Sequence, residues 1–530
     1  MSFFDGKLLI ESASASGIEA VTKREIIKLG YNPSGAEYGR ITYEGTFLDV
    51  VRSNIFLRTS NRIRIVISSF TATTFDELYD GIYSIPWQEI ITMDGSIVVD
   101  AKSIKSTLFA LSSIQSISKK AIVSKLCSFY SINSLSENGS IYSIEVSLIN
   151  DICRVTLDTS GEGLHKRGYR TLVGHAPMRE TMAAAIIELS VWNPDRVLID
   201  PFCGSGTFPI EAALIALNIA PGLHRTFSFE NWTNVPQLRD KVNEEAKDLE
   251  TLDKELRISG FDIDPSQIKL ALKHAENAGI KDKIHLQVQD MRKLSSRFSH
   301  GIIITNPPYG ERLLKETELK ELYRDFRKVY DSLDEWCAYV ITSYKGFEKC
   351  FGKKADKTRK LYNSELECNL YQYLGKPPRK EVWMRAVIQR CGETTLTVDG
   401  KVISHINSGL TVFLAIAKGD TEEQADYIAK KLTLLRIFAD ENYKMNLSVK
   451  DVGKEILLVS QFCLAGTLGK RSGNRPDFKD AELPDRAKEL YERVRDGIIK
   501  EGVPCQTGVF GAHMVINQVQ MGPLTFVFEC

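Results

Sequence analysis

The chain has 530 residues, of which 43% are hydrophobic and 26% charged, and its 68 Lys and Arg balance its 68 Asp and Glu. Because single cores rarely grow beyond about 250–300 residues, this length predicts several domains. A net charge of zero excludes a global field that attracts nucleic acid, so local basic patches must hold any such partner.

The ten cysteines form no C-x-x-C pair, which argues against a zinc site and against a disulfide framework. The start of the chain has no basic region followed by an apolar stretch, and no run of about 18 apolar residues occurs. We therefore expect a soluble, cytoplasmic protein without a signal peptide and without a membrane partner.

Short strand and helix patterns alternate over residues 1–60, which we assign to an N-terminal subdomain. Lys7–Ser12 and Arg40–Glu44 are typical of strands, while Gly17–Leu29 and Thr46–Arg52 favour helices. Residues 61–160 form the next expected domain. Its predicted elements are a strand at Arg62–Ser68, a helix at Asp76–Ile82, a serine-rich stretch through Ser136, and strands near Tyr142–Leu148 and Asp151–Asp158.

Residues 161–375 alternate apolar strands with longer helices, which predicts a Rossmann-like, doubly wound α/β domain. Residues 376–383 begin with the sequence Lys-Pro-Pro-Arg-Lys and form a predicted linker. A fresh strand starts at Met384, so residues 384–530 should be a further α/β domain. We find no internal repeats.

A glycine-containing loop follows the short buried strand Val197–Asp200. Gly204 and Gly206 permit close backbone approach, and a helix after Thr207 would offer free amide hydrogens to a bound nucleotide. By itself this motif could be an ordinary strand-to-helix turn. The residues expected at the cofactor are Asp200, Pro201, Cys203, Gly204, Ser205, Gly206 and Thr207.

Acidic residues stand at the ends of the next two strands. Asp262 and Asp264 follow Ile258–Phe261 and could accept both ribose hydroxyls, while Asp290 follows Leu286–Gln289 and could accept from an adenine amine. Acidic residues now stand at the ends of three successive strands, which argues that the glycine-containing loop is more than an ordinary strand-to-helix turn. With the motif described next, they indicate S-adenosyl-L-methionine as the cofactor.

Asn306-Pro-Pro-Tyr309 follows the predicted strand Gly301–Thr305. An exocyclic amine is a poor nucleophile, and the Asn306 side-chain carbonyl with the Pro307 backbone carbonyl could accept its hydrogens and direct its lone pair at a methyl group. The prolines stiffen the loop, and Tyr309 offers a face on which a flipped base can stack. Cys203 as a nucleophile is disfavoured, because amine methylation needs no covalent adduct.

Two basic stretches could contact phosphates. The first contains His165, Lys166, Arg167, Tyr169 and Arg170, which we predict as RNA-binding residues. The second is Lys353–Lys360. For each stretch the alternative is a solvated surface loop.

Together these motifs are similar to those of a known enzyme family. Residues 1–383 resemble the THUMP-domain RNA guanine-N2 methyltransferases, especially the bacterial type that acts on 23S rRNA. The resemblance implies a ferredoxin-like N-terminal subdomain, a THUMP RNA-binding domain, a Rossmann-like catalytic domain and 23S rRNA as partner. The matching segments are Leu164–Arg170, Ala176–Met182, Asp200–Thr207, Asp262–Asp264, Asp290, Asn306–Arg312 and Leu361–Asn363.

Residues 384–530 resemble the D-aminoacyl-tRNA deacylases. The matching segments are Met384–Arg390, Leu435–Phe438, Lys444–Leu447, Ser460–Phe462, Asn474–Pro476, Gly508–Met514 and Gly522–Pro523. The resemblance implies a homodimer in which a Gly–Pro pair with a cis bond enters the partner's site and rejects L-aminoacyl groups by backbone sterics. It also implies hydrolysis without a side-chain nucleophile, assisted by the terminal ribose hydroxyl of the aminoacyl-tRNA. The site residues implied are Ser460, Gln461, Phe462, Cys463, Gly522 and Pro523.

Two positions depart from the deacylase pattern. Cys463 stands where the family has threonine, and Gln520 stands where it has asparagine. Because a thiol is a weaker hydrogen-bond donor than a hydroxyl, the activity could be reduced or retuned. An inactive module for tRNA binding or dimerisation is the alternative.

We thus expect a bifunctional enzyme that methylates N2 of a guanosine in 23S rRNA with S-adenosyl-L-methionine and hydrolyses D-aminoacyl-tRNA. Guanine-N2 methylation of tRNA is the second hypothesis, since THUMP domains also serve tRNA enzymes. An RNA-binding assembly factor with vestigial chemistry is the third. The intact acids and the complete Asn306–Tyr309 motif argue against it, because a decayed site should lose them.

Overall fold

The computed structural model describes residues 3–37, 39–170, 178–309, 316–363, 366–376, 384–466 and 476–530. The chain forms two compact units, Met1–Pro378 and Arg379–Cys530. Each core cluster of the described residues draws all its members from one unit. Within these described ranges no helix combines the length and apolar character needed to cross a membrane.

The N-terminal part of the first unit is one seven-stranded sheet with helices packed on it. Its strands are β1 Leu8–Ser14, β2 Pro33–Glu37, β3 Arg40–Gly45, β4 Ser60–Thr71, β5 Ser96–Ile104, β6 Ile141–Ile149 and β7 Ile152–Asp158. Its helices are α1 Glu19–Lys28, α2 Phe47–Phe56, α3 Phe75–Tyr83 and α4 Leu111–Tyr130. The strand order is β2-β3-β1-β4-β7-β6-β5, and β5 and β6 are its parallel pair.

Strand β4 joins the two N-terminal regions that the sequence separates at residue 60. It pairs antiparallel with β1, where Leu9 lies opposite Val66, and with β7, where Arg64 lies opposite Asp158. The two regions therefore share one continuous sheet. Helix α4 was not predicted, because its serine-rich sequence carries a weak apolar period, and strand β5 was not predicted either. Helix α4 nevertheless buries apolar residues at helical spacing, which are Ile114, Ala121, Ile122 and Leu126.

The catalytic part of the first unit confirms the predicted doubly wound fold. Its helices are α5 Glu180–Leu189, α6 Thr207–Ala216, α7 Arg239–Asp248, α8 Pro265–Asn277, α9 Glu316–Ser332 and α10 Phe347–Phe351. Its strands are β8 Leu198–Asp200, β9 Ile258–Asp262, β10 His285–Val288, β11 Ile302–Thr305, β12 Cys337–Thr342, β13 Lys357–Asn363 and β14 Leu366–Tyr373.

The strand order in this sheet is β10-β9-β8-β11-β12-β14-β13. Strands β8 to β12 are mutually parallel, and β14 runs antiparallel to both of its neighbours. The order reverses at β8, and ligands of open α/β sheets bind at the carboxyl edge beside such a point. The motifs after β8, β9, β10 and β11 therefore share one edge.

The second unit is a six-stranded sheet packed with two long helices. Its elements are β15 Arg385–Val398, β16 Lys401–Ile406, β17 Gly409–Ala415, α11 Glu422–Leu434, β18 Phe438–Ala439, β19 Met445–Leu447, β20 Glu455–Ser460, α12 Pro484–Lys500, β21 Cys505–Thr507 and β22 Met514–Glu529. The sheet has the order β16-β15-β17-β20-β21, and β22 pairs along β15. The predicted linker, apart from Lys376, lies outside the described residues.

Candidate active sites

The loop between β8 and α6 is shaped by two glycines in the left-handed region. Gly204 has φ +52° and Gly206 has φ +84°, conformations that L side chains rarely adopt. A Cβ on Gly206 would lie 3.0 Å from the Ala271 Cβ of α8. The loop is fixed to β9 by the Cys203 N–H, which donates to the Phe261 carbonyl at 2.8 Å. The start of α6 therefore lies at the carboxyl edge of the sheet.

Asp262 faces this loop from the end of β9. Its Oδ2 accepts from the Gly204 N–H at 2.9 Å, and its Oδ1 accepts from the Asp264 N–H at 2.9 Å. Burial raises the pKa of the Asp262 carboxyl group. A half-buried acid that already accepts hydrogen bonds at the loop is well placed for ribose hydroxyls.

Asp264 is arranged differently. Its side chain is exposed and accepts from the Ser266 N–H at 2.8 Å, so it caps the N-terminus of α8. These hydrogen bonds lower the pKa of its carboxyl group. Of the two acids expected at the ribose, the structure favours Asp262, while Asp264 stabilises a helix end.

Asp290 lies beside Asp262, because the Gln289 N–H donates to the Asp262 backbone carbonyl at 2.9 Å. The Asp290 carboxylate accepts from the Arg292 N–H at 2.9 Å and from Arg292 Nη1 at 3.2 Å. Arg292 also donates to Asp325 of α9 at 2.8 Å. Asp290 is thus held at the expected edge, with part of its acceptor capacity already used.

Asp200 connects two loops: the predicted cofactor loop between β8 and α6, and the Asn306–Tyr309 loop after β11. It is 1% exposed, and its Oδ1 accepts from Thr305 Oγ1 at 2.6 Å and from the Phe202 N–H at 3.1 Å. Burial raises the pKa of the Asp200 carboxyl group to about 7. The Asp200 side chain, which we expected at the cofactor, is thus buried and holds together the loop that follows β8 and the loop that follows β11.

The Asn306–Tyr309 loop follows β11 directly. The Asn306 amide and the Tyr309 hydroxyl share a hydrogen bond, and burial raises the pKa of Tyr309. Tyr323 donates its hydroxyl hydrogen to the Pro308 carbonyl at 2.7 Å, which anchors the loop to α9. Residues 310–315, which include the matched Gly-Glu-Arg, lie outside the described residues.

Cys203 is unsuited to nucleophilic attack. Its side chain is 6% exposed, and burial raises the pKa of its thiol well above the ordinary value. The nucleophile is the thiolate, so a neutral buried thiol is inert. This arrangement agrees with its assignment to the cofactor loop.

The predicted RNA-binding stretch requires a correction, because two of its five residues are buried and a third, Arg170, is held by an ion pair. Arg167 is 3% exposed and donates to the Leu164 carbonyl at 2.8 Å and to the Arg58 carbonyl. Tyr169 is also 3% exposed and donates to Glu211 Oε1 at 3.1 Å. Side chains buried in this way cannot reach a phosphate.

Arg170 is the third of these residues. It pairs with Glu180 at 3.1 Å and donates to Thr207 Oγ1, the first residue of α6. Its role is therefore to support the cofactor loop. His165 and Lys166 keep access to solvent, and burial, followed by surrounding cations, lowers the pKa of His165 to about 4.

The sequence analysis overlooked Glu211 and Thr305. Glu211 lies in the middle of the apolar helix α6, is 0% exposed, and receives both Arg167 and Tyr169. An acid within an otherwise apolar helix was the available signal. Thr305 ends a run of isoleucines and carried no comparable signal.

In the second unit, the Ser460–Cys463 segment leaves the end of β20. The Gln461 N–H donates to the Leu414 carbonyl at 2.8 Å, and its side-chain amide donates to Cys463 Sγ at 2.6 Å. Phe462 is 61% exposed and meets Phe478 edge to face at 5.2 Å. The segment therefore presents an aromatic ring and a thiol at the surface. Asn474 and Arg475 lie outside the described residues.

Gly522 and Pro523 lie in an irregularity of the β15–β22 pairing, between the partners Gln389–Thr525 and Cys391–Gln520. Gly522 has φ +120°, and a Cβ there would lie 2.9 Å from Arg390 Nη2. No peptide bond of the described residues is cis, so the cis bond implied by the resemblance is wrong for this structure. The strand continues through the Gly–Pro pair, whose two residues are exposed.

Comparisons with known proteins agree with this architecture. Four family models match in chain order. They are the RlmL ferredoxin-like domain at residues 12–64, the THUMP domain at 72–158, the RMKL-like methyltransferase domain at 167–372 and D-Tyr-tRNA(Tyr) deacylase at 387–529.

Two relatives and one solved structure cover the first unit. "Putative RNA methyltransferase YpsC" of Bacillus subtilis (strain 168) is 41% identical over 380 residues, which are 71% of this chain and 98% of YpsC. Ribosomal RNA large subunit methyltransferase K/L of Psychromonas ingrahamii is 32% identical over 387 residues, or 71% of this chain. The match spans 51% of that enzyme, about half its length. The crystal structure of SMU.472 complexed with SAH has a TM-score of 0.66 at 42% identity and covers 70% of this chain and 99% of that one.

Proposed function

This chain belongs to the RMKL-like methyltransferase family and carries a D-Tyr-tRNA(Tyr) deacylase domain, and from that premise we propose that it methylates N2 of a guanosine in 23S rRNA and hydrolyses D-aminoacyl-tRNA. It is an enzyme with two catalytic domains, and its cofactor is S-adenosyl-L-methionine. The K/L relatives are named for ribosomal RNA, which supports the choice of substrate.

One observation carries the methyltransferase proposal: the cofactor acids and the Asn306 loop converge on one edge of the sheet. Asp262 and Asp290 are adjacent at this edge, and Asp200 joins the cofactor loop to Thr305, which immediately precedes Asn306. The glycine loop, the ribose acid and the adenine acid together fit the nucleoside of the cofactor. A base entering beside Asn306 would meet the methyl donor.

The residues of the loop would act by orientation. When bound, S-adenosyl-L-methionine supplies an activated methyl group. The Asn306 and Pro307 carbonyls would accept the amine hydrogens of guanine, while the Tyr309 ring would stack on the base.

Nucleoside mapping tests the substrate. Mass mapping of N2-methylguanosine in rRNA and tRNA from cells that lack the protein should show one missing modification in 23S rRNA. Expression of the native chain should restore it, and expression of the Asn306→Ala variant should not. A modification missing from tRNA instead would replace the rRNA proposal by the tRNA alternative.

The deacylase proposal extends to a homodimer in which each second unit completes the site of its partner. Strand β22 supports this, because it is an edge strand among the described residues and exposes several apolar side chains. These are Val515, Val519, Met521 and Val527, which are 50%, 54%, 49% and 63% exposed. Exposed apolar edges commonly mark an interface.

Light scattering on the full chain should therefore give twice the monomer mass, and Val519→Lys with Val527→Lys should reduce it to the monomer. The native chain should hydrolyse D-aminoacyl-tRNA and spare the L-form. Cys463→Thr should change the rate of hydrolysis more than the preference for the D-form. A dimer without hydrolysis that gains activity in a Cys463→Thr, Gln520→Asn variant would identify a decayed binding module.

We propose that the protein acts in the cytoplasm, where its RNA substrates are made. We retain the domain boundaries 1–60, 61–160, 161–375 and 384–530, with β4 shared by the first two regions. Within the basic stretch 165–170, we propose that His165 and Lys166 contact the RNA.

A further inference from the structure

A cavity of about 370 Å³ lies between the N-terminal sheet and the catalytic part of the first unit. Ser16 and Asn61 line it from the N-terminal side, and Arg179, Thr181, Met182 and Tyr362 line it from the catalytic side. Its volume falls in the usual range of small-ligand pockets. Of the described residues that line it, none belongs to the Asn306–Tyr309 loop.

The walls of this cavity are held in place by contacts between its two sides. The Gly17 carbonyl accepts from Arg359 Nη1 at 3.1 Å, and a Cβ on Gly17 would lie 2.8 Å from the Lys360 carbonyl. Thr181 Oγ1 donates to Asn61 Oδ1 at 2.9 Å. These contacts fix the two walls of the cavity relative to each other.

The chemistry of the lining fits a nucleic-acid base. Tyr362 supplies an aromatic ring, while Ser16 and Asn61 supply hydrogen-bonding groups. Lys360 Nζ lies 5.6 Å from the centroid of the Tyr362 ring and pairs with Glu367 at 2.6 Å, and Arg179 supplies positive charge to the lining. An aromatic surface next to cations is the combination with which proteins hold single-stranded nucleic acid.

A larger cavity of about 790 Å³ meets the smaller one at Arg179, which lines both. Among the described residues, its lining includes five cationic residues, two histidines and two acids. The cationic and imidazole residues are His165, Lys166, Arg167, Arg170, Arg179, His224 and Arg225, and the acids are Glu162 and Glu180.

This larger cavity reaches the loop between β8 and α6. Arg225 donates to the Gly163 and Lys166 carbonyls at 2.7 and 2.9 Å, and Arg170 donates to Thr207 of α6. Because Glu211 and Glu180 engage Arg167 and Arg170, contact with a phosphodiester backbone falls to the solvent-accessible cations Lys166 and Arg179.

We propose that the smaller cavity holds a base of the substrate RNA that neighbours the methylated guanosine, and that Lys166 and Arg179 of the larger cavity contact the phosphates between them. This inference rests on the RNA methylation proposed above. The chain then recognises its target by two bases, one at Asn306–Tyr309 and one against Tyr362.

The test compares Tyr362→Ala with Tyr362→Phe in the full chain. The probe is a fluorescein-labelled 23S rRNA transcript, and its affinity is measured by polarisation. Loss of one stacked base should weaken binding of the alanine variant roughly 5- to 150-fold, whereas the phenylalanine variant, which keeps the ring, should bind like the native chain. Ser16→Phe fills the cavity from its other wall and should weaken binding similarly.

A second arm removes single bases from the RNA around the mapped guanosine. One abasic position should reproduce the loss seen with Tyr362→Ala, and combining the two should cause no further loss. Unchanged affinity in both Tyr362→Ala and Ser16→Phe, or an equal loss at every abasic position, overturns the inference. If the variants also transfer methyl groups at the native rate, the inference fails but the proposed function stands. Tyr362-dependent binding without any methyl transfer overturns the proposed function alone.

Discussion

Asn306 and Asp262 serve different partners at the same edge of the sheet, so their substitution should have opposite effects. Asn306→Ala removes an acceptor for the target amine but no contact to the cofactor. We expect methyl transfer to be lost while the Kd for S-adenosyl-L-methionine, measured by calorimetry, stays within about twofold. A large loss of cofactor affinity would contradict the role assigned to Asn306.

Asp262→Ala should weaken the cofactor first. Hydrogen bonds to a charged group contribute about 1.5–3 kcal/mol, so the Kd should rise roughly 10- to 150-fold. Asp264→Asn is the matched control, since Asp264 caps α8 and faces solvent. If the control loses affinity and Asp262→Ala does not, the ribose contact belongs to Asp264.

Asp200 should make the first unit less stable as the pH rises. Its folded-state pKa of about 7 lies above the ordinary value of 3.8, so the folded state binds the proton more tightly than the unfolded state. The stability that this proton provides is complete below pH 3.8 and is lost as the pH rises through 7.

Between pH 5 and pH 8 the free energy of unfolding should therefore fall by about 2–3 kcal/mol from this group alone. Asp200→Asn, which mimics the protonated acid, should remove that part of the decline. Urea unfolding of the native chain and the variant at both pH values measures the difference. Parallel pH profiles would show that Asp200 is ionised in the folded protein.

At the scale of elements, Gly168 sets how closely two loop segments approach. It has φ +98°, and a Cβ would lie 2.1 Å from the His224 carbonyl oxygen. Gly168→Ala should lower the free energy of unfolding by more than about 2 kcal/mol, because strain and a backbone clash combine.

Gly279→Ala is the matched control for this substitution. Gly279 has φ +70°, but nothing lies within 4 Å of the added Cβ, so only the conformational cost of about 1–2 kcal/mol applies. Thermal unfolding of the two variants separates clash from strain. Equal losses would mean that the 162–170 and 223–226 segments separate freely.

The sequence predicted the elements that carry a clear apolar period and missed those that do not. Strand β9 and helix α1 follow from local pattern, and the structure has them at Ile258–Asp262 and Glu19–Lys28. Helix α4 was not predicted because its serines weaken the apolar period of the sequence, although burial of Ile114 and Leu126 stabilises the helix. Tertiary packing outweighs weak local propensity in such segments.

At the scale of the whole molecule, the two units should unfold separately. The core clusters of the first unit and of the second share no residue among the described positions. Scanning calorimetry should show two transitions. S-adenosylhomocysteine at about 100 times its Kd should add about 2.7 kcal/mol to one of them and leave the other unchanged. A single transition that shifts as a whole would show that the units are coupled.

The sequence by itself determined the order of the domains, the cofactor loop, the acids after β9 and β10, and the Asn306–Tyr309 motif. These are local signals, because the positive φ of the loop favours glycine and the acids directly follow their strands in the sequence. Only the tertiary structure decided that Arg167 and Tyr169 are buried, that Arg170 pairs with Glu180, that Asp200 bonds to Thr305, and that Gly522–Pro523 is trans. Burial depends on what packs against a residue from distant parts of the chain. A basic stretch in sequence therefore cannot reveal which of its charges meet solvent and which meet Glu211 or Glu180.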